Sequence, residues 1–469
     1  MKGIQQHNKL QNLLLAQSQT TGDHPEEVPV VSKIRQKAFR HFIKKGLPVK
    51  SDEGWRNSLL TKIFDKDYSL KSNPEPYQKA VNEIFECEIY NFHSEIISVL
   101  NGRYYAEDTD NLQTLDNGVL VGSIVAAQKQ FPGFFDQYYG RIGNYKQDGL
   151  TAINNAFFSD GVFVYVPDGV EAGNALQLIK MVNQNDNPFI NTRNLIVLGK
   201  NSKLVFLHCD DSINHLSSFI NTYTEIFVDE NASLEWYKMQ NLNDETALLN
   251  NTFIRQEKNS QTKVNVITLN GGKIRNEIHV DLKGEGAYTD LNGIYLMDKE
   301  QQIDNEVYVN HLAPHCDSTT LFKGVLDNKA TGVFNGFIYV ERNAQKTTAF
   351  QSNNNILMTS DTQMDTMPFL EIYADDVKCS HGATVGQLDE EAMFYLMQRG
   401  ISRDNARLLL MNAFTSQVTS KISIEPLRIS IEDMIKKRLR GELSICEKCV
   451  LHCTVPAKPV EFEIDLSKI

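Results

Sequence analysis

From about residue 160 to residue 378, short runs of β-branched and aromatic residues alternate with small polar turns, and helical patterns are nearly absent. Leu195–Leu198, for example, precedes Gly199-Lys200-Asn201, and Ile226–Val228 precedes Asp229–Ala232. This unit of an apolar run followed by a polar turn recurs without a strict period. About 200 residues of strands and turns without crossover helices argue against βαβ units and predict a sandwich, a barrel or a β-helix. A β-helix grows by stacking turns, which suits the length of the stretch.

Other patterns precede this stretch. Residues 1–90 carry apolar stripes at helical spacing, one ending at Gly46 and another containing Trp55. The next segment alternates apolar and polar residues, and Asn101-Gly102 is typical of a tight hairpin turn. We therefore predict an N-terminal helical region followed by a short segment of strands that leads into the core.

Helical patterns also follow the stretch. Apolar residues recur at helical spacing from Leu388, and Gly400 can end that helix in the left-handed conformation. Ser402 is predicted to cap a second helix, and the spacing of Ser430 and Asp433 predicts a capping box for a third. The predicted regions are an N-terminal helical region (1–90), a β-helix core with its leading segment (91–387), a C-terminal helical region (388–445) and a cysteine-containing tail (446–469).

Composition excludes several functions. The chain has 469 residues, a formal net charge of −12 and seven scattered cysteines. Without a basic tract, binding to a nucleic-acid backbone is not expected, and without an apolar run of about 18 residues no membrane helix is expected. The first residues do not resemble a secretory signal. An odd number of scattered cysteines is typical of reduced thiols, so we expect a cytoplasmic protein.

The first candidate site lies near the end of the β-rich stretch. Glu371–Lys378 loosely alternates apolar and polar residues, which predicts a half-buried strand. Cys379 and His381 follow it and lie on one face if the strand continues. A thiol and an imidazole are soft and borderline ligands for iron or another metal. The alternative is a buried thiol beside a hydrogen-bonded histidine. Because two ligands cannot close a four-ligand site, a metal role requires ligands from another chain.

The second candidate site is in the tail. Cys446, Cys449, His452 and Cys453 fall within eight residues and could supply four ligands to one tetrahedral ion. Structural zinc usually draws its ligands from two separated segments, however, and one octapeptide is short for enclosing an ion. The alternative is a solvated or oxidation-prone tail.

Acidic runs suggest an alternative of a different class. Polysaccharide-cleaving β-helices use carboxylates in a surface groove, and Asp375-Asp376 or Asp389–Glu391 could serve in that way. Charge runs are usually solvated, however, and Asp389–Glu391 already suits the first turn of a helix. No G-x-x-x-x-G-K-[ST] motif occurs, so we do not expect ATP hydrolysis. A non-enzymatic function is preferred, with a β-helix carbohydrate-active enzyme as the alternative.

A resemblance to a known family rests on residues 379–401, CSHGATVGQLDEEAMFYLMQRGI. This stretch closely resembles the signature of the SufD branch of the SufB/SufD family of iron–sulfur cluster assembly proteins, part of the SUF system. Residues 33–60, 160–170 and 332–357 resemble the same family more weakly.

The resemblance implies a fold, partners and a site. The fold is a right-handed parallel β-helix between helical ends. The partners are SufB and two copies of the ATPase SufC, with the helices after the β-helix as the SufC-docking region. A transient iron–sulfur cluster is implied at the SufB–SufD interface, near Cys379 and His381, and none is expected in the isolated chain. Flavin involvement and a homodimer of the isolated chain stay open.

Two positions distinguish the SufD branch from the SufB branch, which is the close alternative. SufB-type chains carry Glu directly after the motif histidine, where this chain has Gly382. They also carry a cluster-binding cysteine about 28 residues before the motif, where this chain has Ser352–Asn355. Both positions favour the SufD branch and imply that this chain does not hold a cluster alone.

Overall fold

The computed structural model describes residues 8–20, 27–70 and 93–441, apart from positions 57, 59, 144, 145, 147, 185 and 213–215. Two ten-stranded sheets pack face to face and form the core. From residue 162 onward, strands alternate between the sheets along the chain, and neighbours within each sheet are mainly parallel. The core is therefore a parallel β-solenoid with helices before and after it, which confirms the predicted fold class.

The strands are β1 (Ser94–Leu100), β2 (Arg103–Tyr105), β3 (Gln113–Thr114), β4 (Leu120–Ser123), β5 (Val162–Val166), β6 (Ala175–Val182), β7 (Phe189–Leu198), β8 (Lys203–Ser212), β9 (Phe219–Val228), β10 (Ser233–Asn241), β11 (Ala247–Gln256), β12 (Gln261–Asn270), β13 (Lys273–Leu282), β14 (Tyr288–Met297), β15 (Gln302–His311), β16 (Asp317–Leu326), β17 (Thr331–Val340), β18 (Thr348–Leu357), β19 (Gln363–Ile372) and β20 (Lys378–Gly386). The first sheet has the order β2-β1-β6-β8-β10-β12-β14-β16-β18-β20. The second sheet has the order β19-β17-β15-β13-β11-β9-β7-β5-β4-β3.

The length of one solenoid turn varies along the chain. Gln261 pairs with Tyr288, 27 residues later, whereas Asp317 pairs with Thr348, 31 residues later. Apolar side chains from both sheets fill the interior at every turn, such as Val264 from β12. The variable length explains why the sequence shows recurring strands without a strict period.

The predicted turns are confirmed, and asparagines stack within them. Asn201, Asn231 and Asn259 have φ between 54° and 56°, a left-handed conformation that asparagine adopts more readily than most residues. The Asn231 amide donates to Asn201 Oδ1 at 3.1 Å, and the Asn259 amide donates to Asn231 Oδ1 at 3.2 Å. The hairpin prediction is confirmed too, because Asn101 and Gly102 join the antiparallel strands β1 and β2 with φ of 50° and 80°.

Helices cover the outer faces of both sheets. N-terminal helices lie on the second sheet, where Phe42 and Leu150 pack with Phe219. C-terminal helices lie on the first sheet, where Met411 packs with Tyr237. The helices are α1 (Lys9–Thr20), α2 (Pro29–Lys45), α3 (Ile124–Gln130), α4 (Pro132–Tyr138), α5 (Gly149–Phe157), α6 (Glu390–Gln398), α7 (Arg403–Thr419) and α8 (Glu425–Leu439).

Three local predictions need correction. Glu371–Lys378 is not one strand, because β19 ends at Ile372 and β20 begins at Lys378, with Asp375-Asp376 in the connection. Ser430 does not begin a helix, because α8 already starts at Glu425 with a proline in its first turn. Trp55 is buried as its stripe suggests, but it lies in a short 3-10 turn, Glu53–Trp55, rather than in an α-helix.

Candidate functional site

Cys379 and His381 lie on β20, the edge strand of the first sheet. β19 is the corresponding edge strand of the second sheet, and we call β19 and β20 together the last rung. Within the described chain, each strand of the last rung pairs along one side with a strand of its own sheet. The other edge of each strand presents backbone groups that another strand could pair with.

The two side chains face the same way, as their spacing predicts. Cys379 pairs with Ala349 and His381 pairs with Gln351, and both β18 residues are buried. Because strand side chains alternate, Cys379 and His381 continue the inward-facing columns of β18. The thiol is half-buried against a small apolar cluster that includes Ala374. The imidazole, in contrast, is exposed at the open end of the solenoid.

The chemistry of the two groups differs. Burial raises the pKa of the Cys379 thiol, and a hydrogen bond with the Ala349 backbone only partly offsets this. The thiol is therefore protonated at neutral pH, whereas metal binding requires the thiolate. Among the described residues, no three His, Cys, Asp or Glu side chains are grouped to hold a metal ion. The pair can offer at most two ligands, so any metal or cluster bound here needs ligands from another molecule.

A buried amide network lies on β18 beneath Ala383 and Val385, in the segment that distinguishes the two branches of the family. The Asn353 amide donates to Tyr295 Oη at 3.0 Å, and the Asn355 amide donates to Asn353 Oδ1 at 2.7 Å. Above it, Gly382 is exposed, and a Cβ atom there would meet nothing within 4 Å. The asparagines therefore act in packing, while the glycine leaves open space on the face of the strand opposite His381.

Apolar side chains around the last rung are exposed, a feature that sequence analysis missed. Residues of this kind in strands normally face a core, so their pattern alone gives no sign of exposure. An open strand edge beside exposed apolar side chains is typical of a protein–protein contact. The exposed apolar side chains of this region are Phe350, Met367, Phe369, Ile372, Tyr373 and Val385.

α6 follows β20 directly and has an uncovered apolar face. Asp389 caps it by accepting hydrogen bonds from the backbone of Glu391 and Ala392 at 2.9 and 3.1 Å. Phe394 and Tyr395 are 64% and 59% exposed. In α7 and α8, by contrast, the main apolar faces pack onto the first sheet.

The other candidate residues do not form a site with this pair. His208 stacks on Trp236 inside the solenoid, whereas Cys209 lies in the cluster under the C-terminal helices, so the two face opposite sides. Asp376 forms an ion pair with Lys346. Asp389 caps α6, and Glu390 and Glu391 lie in its first turn, as the sequence predicts for this acidic run. The tail residues Cys446, Cys449, His452 and Cys453 lie outside the described residues, and their metal role stays a prediction.

None of the described helices has both the length and the apolar character to cross a bilayer.

Fold and site together define a class, an open-ended solenoid scaffold that presents an imidazole and a thiol at its exposed last rung. Two family models match the chain: the SufBD core domain of SUF-system FeS cluster assembly over residues 181–414, and the SufBD N-terminal region over residues 4–178. The chain belongs to the SufBD family of iron–sulfur cluster assembly proteins.

Individual proteins with sequences similar to this chain are members of the same family. The chain is 25% identical to the iron–sulfur cluster assembly protein SufD of Escherichia coli over 410 residues, which cover 87% of this chain and 92% of that protein. It is 26% identical to SufD of Bacillus subtilis over 328 residues, 69% of this chain and 75% of that protein. A SufBD family protein of Synechocystis is 26% identical over 412 residues, 84% of this chain and 87% of that protein.

Proposed function

We propose that this chain is the SufD-type subunit of a cytoplasmic, non-enzymatic scaffold complex that assembles iron–sulfur clusters. In this proposal it pairs with SufB through the last rung and docks the ATPase SufC through its C-terminal helical region. The observation that carries the proposal is the last rung itself, where two open strand edges surround inward-facing, accessible His381 and Cys379. A partner strand added to these edges would bring its own ligands next to this pair.

The nascent cluster is the cargo of this site, shared with SufB. His381 is the main ligand from this chain, because a neutral imidazole can bind iron through one nitrogen while a neighbour holds the other. Cys379 is secondary, since burial favours its protonated form. Gly382 has no side chain, so a partner backbone can approach the strand closely on the face opposite His381.

SufC supplies the ATP hydrolysis for which this chain has no phosphate-binding motif. The uncovered face of α6, with Phe394 and Tyr395, is the proposed contact. β20 ends at Gly386 and α6 begins at Glu390, so only a short connection separates the two. A displacement of α6 by SufC would therefore move the strand that carries His381.

Co-purification tests the pairing with SufB. The chain should be expressed with SufB and SufC as Phe369→Asp/Val385→Asp, which places two carboxylates on the apolar surface of the last rung. Because buried carboxylates are costly without partners, we expect a loss of SufB of about 10-fold or more, with SufC retained.

Ile96→Asp is the matched control, since Ile96 is an exposed apolar residue of β1, far along the first sheet from β20. This control should keep both partners. Retention of SufB by the double variant at the level of the unmodified chain would refute the assignment of the last rung as the interface.

A further inference from the structure

The outer face of α2 carries a stripe of positive charge. Residues 29–50 contain seven Lys and Arg side chains and no carboxylate, although the net charge of the whole chain is −12. Four of these cations are exposed and have the spacing i, i+4, i+7 and i+11, which places them on one face of a helix. At 1.5 Å per residue, they extend over about 17 Å. We call Lys33, Lys37, Arg40 and Lys44 the basic stripe.

The opposite side of α2 is fixed to the solenoid. Ala38 and Phe42 are fully buried there, and Phe42 packs with Phe219 of β9. Arg35 donates from Nε to Glu27 at 3.0 Å. The apolar side of the helix is therefore already used in the core, and the basic stripe faces away from it.

The basic stripe does not stabilise the helix that carries it. Within the described chain, none of its four cations has an ion-pair partner, in contrast to Arg35. Neighbouring members are three or four residues apart, a spacing at which like charges repel. Lys44 lies in the last turn and suits the helix dipole, but Lys33 lies towards the other end, where no acidic residue occupies the first turn. An anionic partner would relieve this repulsion.

Exposed apolar side chains lie beside the basic stripe. Ile43 and Val49 are 53% and 51% exposed. A few apolar residues among charged ones are typical of a protein–protein contact. A membrane-surface helix needs a whole apolar face, which α2 has already buried. A long nucleic acid would extend beyond the stripe and meet a chain of negative net charge. A compact acidic protein fits the surface better than either.

We propose that the basic stripe docks an acidic surface of a partner protein, whose carboxylates face the four cations and whose apolar residue packs against Ile43 and Val49. α2 packs on β9, which lies far along the second sheet from β19. The site is therefore separate from the last rung, and its test does not depend on SufB or SufC.

Fluorescence anisotropy of labelled peptides mixed with the purified full chain tests the proposal. The probe is an alanine-based helical peptide with Glu at i, i+4, i+7 and i+11 and one Leu beside them. An isomer of the same composition has its four Glu spread around the helix. Single exposed ion pairs contribute little, but four aligned pairs act together. We therefore expect the striped peptide to bind about 10-fold more tightly than its isomer at about 50 mM salt.

Charge reversal tests the stripe itself. Lys37→Glu/Arg40→Glu should weaken binding of the striped peptide about 10-fold or more, because two attractions become repulsions. The new carboxylates lie four residues from Lys33 and Lys44, so opposite charges become neighbours and α2 should stay folded. Circular dichroism and the unfolding midpoint check this.

Lys258→Glu/Lys329→Glu is the matched control, because it changes the net charge equally and both lysines are exposed in turns of the solenoid. It should bind the striped peptide as the unmodified chain does. Equal binding of the two peptides would overturn the proposal, and so would unchanged binding by the Lys37→Glu/Arg40→Glu chain.

A short DNA duplex and vesicles containing phosphatidylserine test the other anionic partners. We expect both to bind more weakly than the striped peptide. Tighter binding of either probe, lost in Lys37→Glu/Arg40→Glu but kept in the control, would overturn the assignment to a protein partner in favour of nucleic acid or a membrane surface.

Discussion

Cys379 and His381 are only two residues apart on β20, yet their surroundings differ. The thiol packs against the wall of the solenoid, while the imidazole stands free of that wall and is exposed. Burial keeps the thiol protonated, whereas the exposed imidazole can reach another molecule. On the same strand, the thiol is therefore packed and protonated, whereas the imidazole is accessible to a partner.

This difference leads to a prediction for cluster assembly. We expect His381→Ala to lower cluster formation in cells by about 10-fold or more, since even outer partners of metal ligands contribute 10–100-fold. Cys379→Ala should have a milder effect. Cluster content of the purified complex, or the activity of a cluster-dependent enzyme, measures both.

Ser380→Ala is the control, because Ser380 lies between the two residues and faces the opposite side of the strand. Normal cluster formation by His381→Ala would contradict the proposed role. So would a defect explained entirely by lost folding or lost assembly with SufB and SufC.

Glu306 leads to a prediction about pH. Burial raises the pKa of its carboxyl from 4.5 to about 7, despite the nearby Arg275 guanidinium. The folded state therefore binds the proton more tightly than the unfolded state. The resulting stabilisation is full below pH 4.5 and is lost as pH rises through about 7. It amounts to about 3 kcal/mol at most.

Urea unfolding at several pH values measures this effect. Between pH 4.5 and about 7.5, the free energy of unfolding should fall less for Glu306→Gln than for the unmodified chain. Glu341→Gln, at an exposed position, is the control for the loss of one carboxylate, and its free energy of unfolding should change with pH as that of the unmodified chain does. Equal pH dependence of the Glu306→Gln and unmodified chains would show that this carboxyl is not the source.

At the residue scale, the sequence predicts local relations better than distant ones. The common face of Cys379 and His381 follows from the two-residue period of a strand. The contact between Arg275 and Asp304 does not, because they are on different strands and meet only through the register of β13 with β15. Since the turn length varies from 26 to 32 residues, spacing along the chain does not reveal such partners.

The C-terminal helices perform two different tasks. α7 and α8 cover the first sheet, where Ile431 packs in one buried cluster with Tyr237 and Ile267. α6 leaves Phe394 and Tyr395 exposed. Deletion of residues 402–440 would therefore uncover the sheet as well as remove a docking region, so point substitutions on α6 give a cleaner test.

We expect Phe394→Asp/Tyr395→Asp to lose SufC by about 10-fold or more in co-purification, because two charges replace an exposed apolar contact. SufB binding and the unfolding midpoint should stay unchanged. Ile429→Asp is the matched control, since Ile429 is an exposed apolar residue of α8. Loss of SufC only in the control would move the docking site from α6 to α8.

At the element scale, turns and helix ends were predicted well where one residue type determines the backbone. Asn201 lies in a predicted turn, Gly400 has the expected positive φ, and Ser402 caps α7. The prediction for Glu371–Lys378 is wrong because an alternating pattern continued across a connection. There, Asp375-Asp376 was the only strong sign of a break.

Helices cover the surface of the solenoid unevenly. Helices cover much of the outer faces of both sheets, whereas the last rung has an open edge and exposed apolar side chains such as Phe369 and Val385. Neither property is visible in the sequence, because both depend on which strand comes last in each sheet. A surface of this kind favours association with a similar edge.

We therefore expect the isolated chain, without SufB, to form a homodimer through the last rung. Light scattering after size-exclusion chromatography should give twice the mass of one chain, and Phe369→Asp/Val385→Asp should give a monomer. Ile96→Asp should remain dimeric. A monomeric unmodified chain at about 10 µM would contradict this expectation, since it would put Kd well above 1 µM.

The two ends of each sheet have consequences for how large an assembly can become. At the end opposite the last rung, the edge strands are β2 and β3, with three and two residues, both paired antiparallel to their neighbours. Such short strands are poor templates for further pairing. A molecule with an open sheet edge at one end can bind only one other copy through that end. A molecule with open edges at both ends would polymerise into fibres. This polarity limits the solenoid to finite particles, even though its repeating turns resemble those of a filament.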